Sequence, residues 1–444
     1  MSRSFQAELK RKTIGAEQAA AVIKSGDWID YGFGLGQPEV VDRALAARVS
    51  QLEGVKLRGC LAISSRAVVE ADPEARHVTY YSWYFSGLER RMHDRELCSH
   101  IPMNFGEAPD YYRRFVDVDV AILRCAPMDE HGFFNFGPSV TYEKAITEKA
   151  RKVIVETDTS IPYVFGVECG VHIDDVDWVV EGGASKLPEL QNPAAGPVDR
   201  KVAELIAPEI VDGACVQIGI GAMPNAVCEL LAESSIKDLG VHTEMFVDSL
   251  VSLYEAGKVT GAHKAFNQYQ MTYCFAAGSA RMYEFLNRNS ACFAGPVDYT
   301  NLPHRIMQND KTVAICNAAQ IDLSGQACSE TAGMRQISGT GGQLQFIRGA
   351  YASRGGKAIL CLASTYEREG RRASRIVARI DECNVVTTPR TDVMYVVTEY
   401  GIVNLKGKSV PERARALIDL AHPDFREDLE RQARAYRLIG KTIF

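Results

Sequence analysis

No Cys-x-x-Cys occurs in the chain, no Gly-Lys-Ser/Thr follows a glycine run, no apolar run is long enough to span a membrane, and no charged tail concentrates the formal net charge of −6. Each absence removes a class of function. The twelve cysteines are scattered singly from Cys60 to Cys383, which in a chain of this size reads as reduced, mostly buried thiol and not as a disulfide framework. His131 has acidic neighbours but no partner at metal-ligand spacing, so it reads as structural and no metal site is expected. Without a basic patch there is no footprint for nucleic acid or for an anionic membrane surface. The polar stretch MSRSFQAELKRK lacks an apolar secretory core, and the expected location is the cytoplasm. A missing P-loop leaves a nucleotide triphosphate without its cradle. A small-molecule substrate is the default that remains.

What is present is length and an internal repeat. The 444 residues, 46% hydrophobic, suffice for two sizeable cores. GDWIDYGFGLGQPEVVDRAL from Gly26 and GACVQIGIGAMPNAVCELL from Gly213 share an apolar run, a Gly-x-Gly turn, a proline and an apolar helical pattern. Gly32 and Gly34 thereby correspond to Gly219 and Gly221, and Pro38 to Pro224. Further short apolar runs alternate with helical patterns: DVDVAILRC, RKVIVE and WVVEGG, then TVAICN, KAILCLA and VMYVVTEYG. That alternation predicts an α/β fold, with two similar open domains, mostly parallel sheets, and a joint in the breaker-rich loop Leu190 to Arg200. The expected domains are residues 1–195 and 196–444.

Ligands of such sheets sit beyond the carboxyl ends of the strands, so polar residues there are the candidates. Glu244 follows the run Leu239 to Val241 and precedes an apolar helical pattern, Asn317 ends TVAICN, and Glu399 ends VMYVVTE. The bland reading of Glu244 is a carboxylate in the first turn of a helix capped by Thr243. The turn Gly219, Ile220, Gly221 and the cluster SGTGGQLQF offer uncovered backbone N–H groups of the kind an oxyanion or phosphate needs. Neither glycine turn of the repeat is Gly-x-Gly-x-x-Gly, and no acidic residue ends the strand after the first, which speaks against a dinucleotide. Cys316 and Cys328 lack arranged histidine partners and read as packing.

The ordered segments GVHTEMFVDSLVSLYEAGKVTG, QIGIGAMPNAV, CNAAQIDLSGQACSE, SGTGGQLQFIRGA and VVTEYGIVNLKGKSVPERARALIDLAHPDFREDL resemble the acetyl-CoA hydrolase/transferase family, with a pattern nearest to its 4-hydroxybutyrate, butyryl and itaconate CoA-transferases. The resemblance runs over nearly the whole chain. It implies a CoA-transferase fold with Glu244 as the catalytic nucleophile in the His-Thr-Glu-Met segment. It implies that Gly219, Ile220, Gly221 and the loop Gly339, Thr340, Gly341, Gly342, Gln343 line the acyl-CoA and oxyanion site, and that Asn317 and Glu399 orient the thioester. Coenzyme A enters as a thioester substrate and no cofactor is permanently bound. The partners implied are an acyl-CoA such as acetyl-CoA or succinyl-CoA and a short-chain carboxylic acid, in a homodimer or homotetramer. Two segments depart from the family pattern, Glu156 to Pro162 and Gln345-Phe346, and both bear on which acid is accepted. Arg66, Arg90 and Arg91 are candidate partners for a second carboxylate. The same motifs accommodate an acyl-CoA hydrolase, in which water resolves the glutamyl intermediate, and more remotely a non-catalytic acyl-CoA-binding protein.

Overall fold

The structure, a computed structural model, describes residues 5–190, 193–368 and 370–440. It divides into two compact units, Met1–Gln191 with Thr272–Thr300, and Asn192–Met271 with Asn301–Phe444. The division in sequence falls at the Leu190 to Arg200 loop, but the first unit also takes in Thr272–Thr300, so it is discontinuous where the sequence suggested one continuous half.

The first unit is built on seven strands, β1 (Trp28–Phe33), β2 (Val55–Cys60), β3 (Val78–Ser82), β4 (Cys98–His100), β5 (Val120–Cys125), β6 (Lys152–Asp158) and β7 (Trp178–Gly183), in the order β4-β3-β2-β1-β5-β6-β7. All six pairings are parallel. The run VAILRC of β5 is buried throughout, as a parallel strand covered on both faces requires. Helix α1 (Val40–Ala46) follows the glycine turn after β1, and α2 (Glu143–Lys149) precedes β6. Ile29, Tyr31, Leu57, Val68, Tyr80, Phe85, Ile122 and Ile154 belong to one apolar cluster.

The main sheet of the second unit has six strands, β8 (Cys215–Ile218), β9 (Gly240–Val241), β10 (Thr312–Asn317), β11 (Lys357–Cys361), β12 (Tyr395–Thr398) and β13 (Gly401–Asn404), ordered β9-β8-β10-β11-β12-β13. Pairing is parallel up to β12, and β13 folds back antiparallel as the edge. From β8 the chain places β9 on one side and returns to place β10 on the other. That reversal opens a crevice at the carboxyl ends of β8 and β10. Helices α3 (Ala222–Glu233), α4 (Asp248–Glu255) and α5 (Gln343–Ala352) each follow a loop that runs past this end.

The six strands expected outside the repeat are present, and both repeat copies fold as strand, glycine turn and helix. Among the described residues no cysteine is in a disulfide, and most of the thiols are buried. His131 is a correction: its side chain is 76% exposed beside Glu130, because the Asp129 carboxylate accepts N–H bonds at the turn and leaves the ring outside. Among the described residues there is no group of three or more potential metal ligands, and no helix is long and apolar enough to cross a membrane.

Candidate active site

Register places the catalytic candidates at one level of the second sheet. Val216 of β8 pairs with Val241 of β9, so Gly219 and Glu244, each three residues on, lie together past the strand ends. Ile218 pairs with Ile315, Asn317 with Cys361, and Cys361 with Val397. Asn317 and Glu399 therefore belong to the same rim.

Glu244 is not in a helical first turn. It occupies a bend between β9 and the two-residue strand Met245–Phe246, and α4 begins only at Asp248 with Val247 as its N-cap. Thr243 is buried and donates its hydroxyl to the Met245 carbonyl at 3.1 Å, so it caps the bend and not a helix. The bend leaves the carboxylate half-buried among Met245, Phe246 and Val247, all buried.

Two donors hold that carboxylate. Asn301 Nδ2, on a residue with no exposed surface, donates to Glu244 Oε2 at 2.5 Å, and the Gly342 N–H donates as well. Burial nevertheless pushes the carboxyl up to about 7, against the lowering effect of both donors. At neutral pH a substantial share is therefore ionised and poorly hydrated, the state in which a carboxylate is most nucleophilic. Gly342 is required here for space: a Cβ on it would collide with Glu244 Oε2 and Asn301 Nδ2. Gly341 before it has φ +56°, a conformation that glycine adopts without penalty.

The other expected residues fall into place unequally. Gly219, Ile220 and Gly221 form the open turn into α3. Gly221 has φ +124°, no side chain caps the helix, and Ile220 is 50% exposed. Gly339 lies in the same loop as Gly341 and Gly342, ahead of α5. The Gln343 side chain turns away to donate to Ser329 Oγ at 2.9 Å and Thr388 Oγ1 at 3.0 Å. Asn317 is exposed and its Oδ1 accepts from the Cys361 thiol at 3.2 Å. Glu399 accepts from the Ser364 N–H at 2.9 Å and its hydroxyl at 2.5 Å. Cys316 donates to Gln217 Oε1 at 3.7 Å, and burial first, then the charges of Cys361 and Glu244, hold its thiol protonated. In the first unit, Arg66 is buried and its guanidinium is committed to the carbonyls of Ser64 and Pro38. Its geometry thus points inward and not to a ligand.

Sequence reasoning missed Asn301. It ends the short helix Val297–Asn301, two residues before a proline, and in YTNLPHR reads as an ordinary helix-stop asparagine. Nothing in its neighbourhood signals a partner 57 positions earlier in the chain.

Comparison with known proteins agrees in extent and in fold. The model for the acetyl-CoA hydrolase/transferase N-terminal domain matches residues 1–188, and that for the C-terminal domain residues 278–433. The butyryl-CoA:acetate CoA-transferase of Anaerostipes caccae is 46% identical over 99% of this chain and 99% of its own. RipA from Yersinia pestis superposes with a TM-score of 0.91 at 36% identity, covering 98% of this chain and all of RipA. The 4-hydroxybutyrate CoA-transferase of Porphyromonas gingivalis superposes at 0.78 and 30% identity, covering 97% of this chain and all of its own. Two α/β units, a half-buried glutamate at the strand ends of one of them, and full-length likeness in sequence and in fold are those of one family: the chain belongs to the acetyl-CoA hydrolase/transferase family.

Proposed function

We propose that this protein is a CoA-transferase that moves CoA from a donor such as acetyl-CoA or succinyl-CoA to a short-chain carboxylate of the butyrate, 4-hydroxybutyrate or itaconate class, with Glu244 as nucleophile. The observation that carries the reading is the Glu244 carboxylate, desolvated at the sheet's crevice yet supplied with two fixed donors, Asn301 Nδ2 and the Gly342 N–H. The names of full-length relatives, butyryl-CoA:acetate and 4-hydroxybutyrate CoA-transferase, support the same class of substrates.

Exchange of CoA between two carboxylates is nearly thermoneutral, so the catalyst's task is to keep the activated acyl group from water. Glu244 attacks the donor thioester carbonyl, the C–S bond breaks, and an acyl-glutamyl anhydride and CoA thiolate result. The thiolate then attacks the glutamyl carbonyl, the donor acid leaves as carboxylate, and a glutamyl-CoA thioester remains. The acceptor carboxylate reverses both steps. Asn301 Nδ2 and the Gly342 N–H are the donors for the oxyanion formed on the glutamyl carbon. Losing one such donor costs about 2.7 to 4 kcal/mol. The Gly219 to Gly221 turn, with N–H groups free of side-chain cover, serves the acyl-CoA, and Asn317 and Glu399 set the rim that orients it. Coenzyme A is a substrate and no resident cofactor is invoked. Function as a cytoplasmic homodimer or homotetramer completes the proposal.

Incubation with acetyl-CoA or succinyl-CoA without an acceptor, followed by intact mass and a peptide map, tests it. A CoA-sized adduct on the Glu244 peptide that disappears on adding a carboxylate is the expected result. Steady CoA release without acceptor would instead identify a hydrolase, and binding without either adduct or release a non-catalytic acyl-CoA binder.

A further inference from the structure

The loop that carries Gly342 is fastened to a carboxylate outside the reacting atoms. Glu330 is 4% exposed, and among the described residues no lysine or arginine pairs with it. Its Oε2 accepts from Thr340 Oγ1 at 3.1 Å and its Oε1 from Thr387 Oγ1 at 2.9 Å. Its own carbonyl accepts from the N–H groups of Ile337 at 2.9 Å and Ser338 at 3.2 Å. Ser338 Oγ adds a bond to the Ser329 carbonyl at 3.1 Å, and Gln343 Nε2 reaches Ser329 Oγ. Both ends of the glycine loop are thus tied to the dipeptide Ser329-Glu330, and its middle is tied through Thr340, two residues before Gly342.

A buried carboxylate is costly unless its oxygens are hydrogen-bonded, and a threonine hydroxyl has one proton to give. Thr340 and Thr387 each give that proton to Glu330, which fixes both hydroxyl rotors in one sense. The glycines on either side of Thr340 have no side chains with which to hold their own position. The Thr340 bond fixes the approach to the left-handed Gly341, and on the far side the Gly342 carbonyl accepts the Phe346 N–H at 2.9 Å where α5 begins.

Resting on the reading of Glu244 as nucleophile, we propose that Glu330 is a positioning residue that acts through Thr340 to hold the Gly342 N–H at the glutamyl carboxylate throughout the exchange. A misplacement of about 1 Å at a reacting centre can cost on the order of a hundredfold. The Gly342 donor also favours the ionised form of Glu244. A loosened loop therefore changes the acid limb of the rate profile as well as the rate. Cys316, the titratable side chain facing Glu244 from β10, stays protonated over this range.

The test is steady-state transfer and the pH profile of kcat/KM for Thr340→Val, Thr340→Ser and Glu330→Gln beside the unaltered protein. Thr340→Val keeps the side-chain volume and deletes only the hydroxyl. Its kcat should fall about 10- to 100-fold with apparent KM for acyl-CoA within roughly threefold. Its acid limb should move to higher pH by about one unit, the size of one lost donor to a carboxylate. Thr340→Ser should restore both, and Glu330→Gln should fall between. If Thr340→Val and Glu330→Gln lower only the unfolding temperature and leave kcat and the limb in place, the brace is structural and the inference fails alone. If the unaltered protein forms no Glu244 adduct and transfers no CoA, the underlying reading fails and takes this inference with it.

Discussion

Two glutamates, one in each unit, have carboxyls that burial raises to about 7, and their surroundings differ. Glu143 is 1% exposed, and both of its oxygens are occupied: Oε1 accepts from the Phe33 N–H at 3.1 Å, Oε2 from the Tyr142 N–H at 2.9 Å, and Thr141 Oγ1 contacts both. Close by, a Cβ on Gly32 would press on Leu123 and Glu143. In the same unit Glu156 accepts the N–H groups of Glu39, Val40 and Val41, each at 2.9 Å, and so closes the start of α1 with the protein's own carboxylate. In the second unit the corresponding turn is open, since Cβ atoms on Gly219 and Gly221 would meet nothing nearer than 3.8 Å. One copy of the repeat is filled with the protein's own carboxyl groups and the other is open. A raised carboxyl alone does not mark a nucleophile; access to it decides.

The largest break in that comparison is chemical. Glu244→Gln should lower transfer by more than about 10⁴-fold, as loss of a covalent nucleophile does, measured as acceptor-dependent acyl-CoA formation. Gly342→Ala follows: its methyl intrudes on Glu244 and Asn301, and kcat should drop about a hundredfold in the same assay while the unfolding temperature changes little.

Stability sharpens the contrast. Whichever oxygen of Glu143 becomes an NH₂ group in Glu143→Gln, it faces a backbone N–H, a cost of about 1 to 3 kcal/mol that offsets the gain from removing a carboxyl raised to about 7, so the variant should gain little or nothing in urea unfolding at pH 8. Glu244→Gln should gain instead. The folded carboxyl titrates near 7 and the unfolded one near 4.5, so its contribution to stability is fully present below the unfolded value and is lost as pH rises through the folded one. Glutamine removes that loss, and the variant should be more stable by on the order of 3 kcal/mol at pH 8 and by almost nothing at pH 4.5. The smallest expected effect is at the rim, where Asn317→Ala should cost about 1 kcal/mol, roughly fivefold in kcat/KM.

What could be read from the sequence was whatever is written in consecutive residues. TVAICN and VMYVVTE announce strands running up to Asn317 and Glu399, and the structure has β10 ending at Asn317 and β12 ending one residue before Glu399. The glycines at 221 and 342 stand where a loop enters a helix, which composition also suggests. The bland alternative, a helix capped by Thr243, is ruled out because strand Met245–Phe246 continues past the bend and delays the helix to Asp248. Asn301, Glu330 and the passage of Thr272–Thr300 to the first unit were illegible for one physical reason. Each depends on a contact between residues far apart in sequence, and a polar side chain carries no local mark of a distant partner.

The dryness around Glu244 has a thermodynamic corollary. Its affinity for a proton is an affinity for any electrophile that removes the negative charge, and an acyl group or a thioester bond does so as fully as a proton does. On the proposed mechanism, the same environment that favours hydrogen on the carboxyl shifts the balance between free and loaded protein towards the loaded form. A titration of the empty site thus gauges how readily it keeps its cargo between the departure of one acid and the arrival of the next.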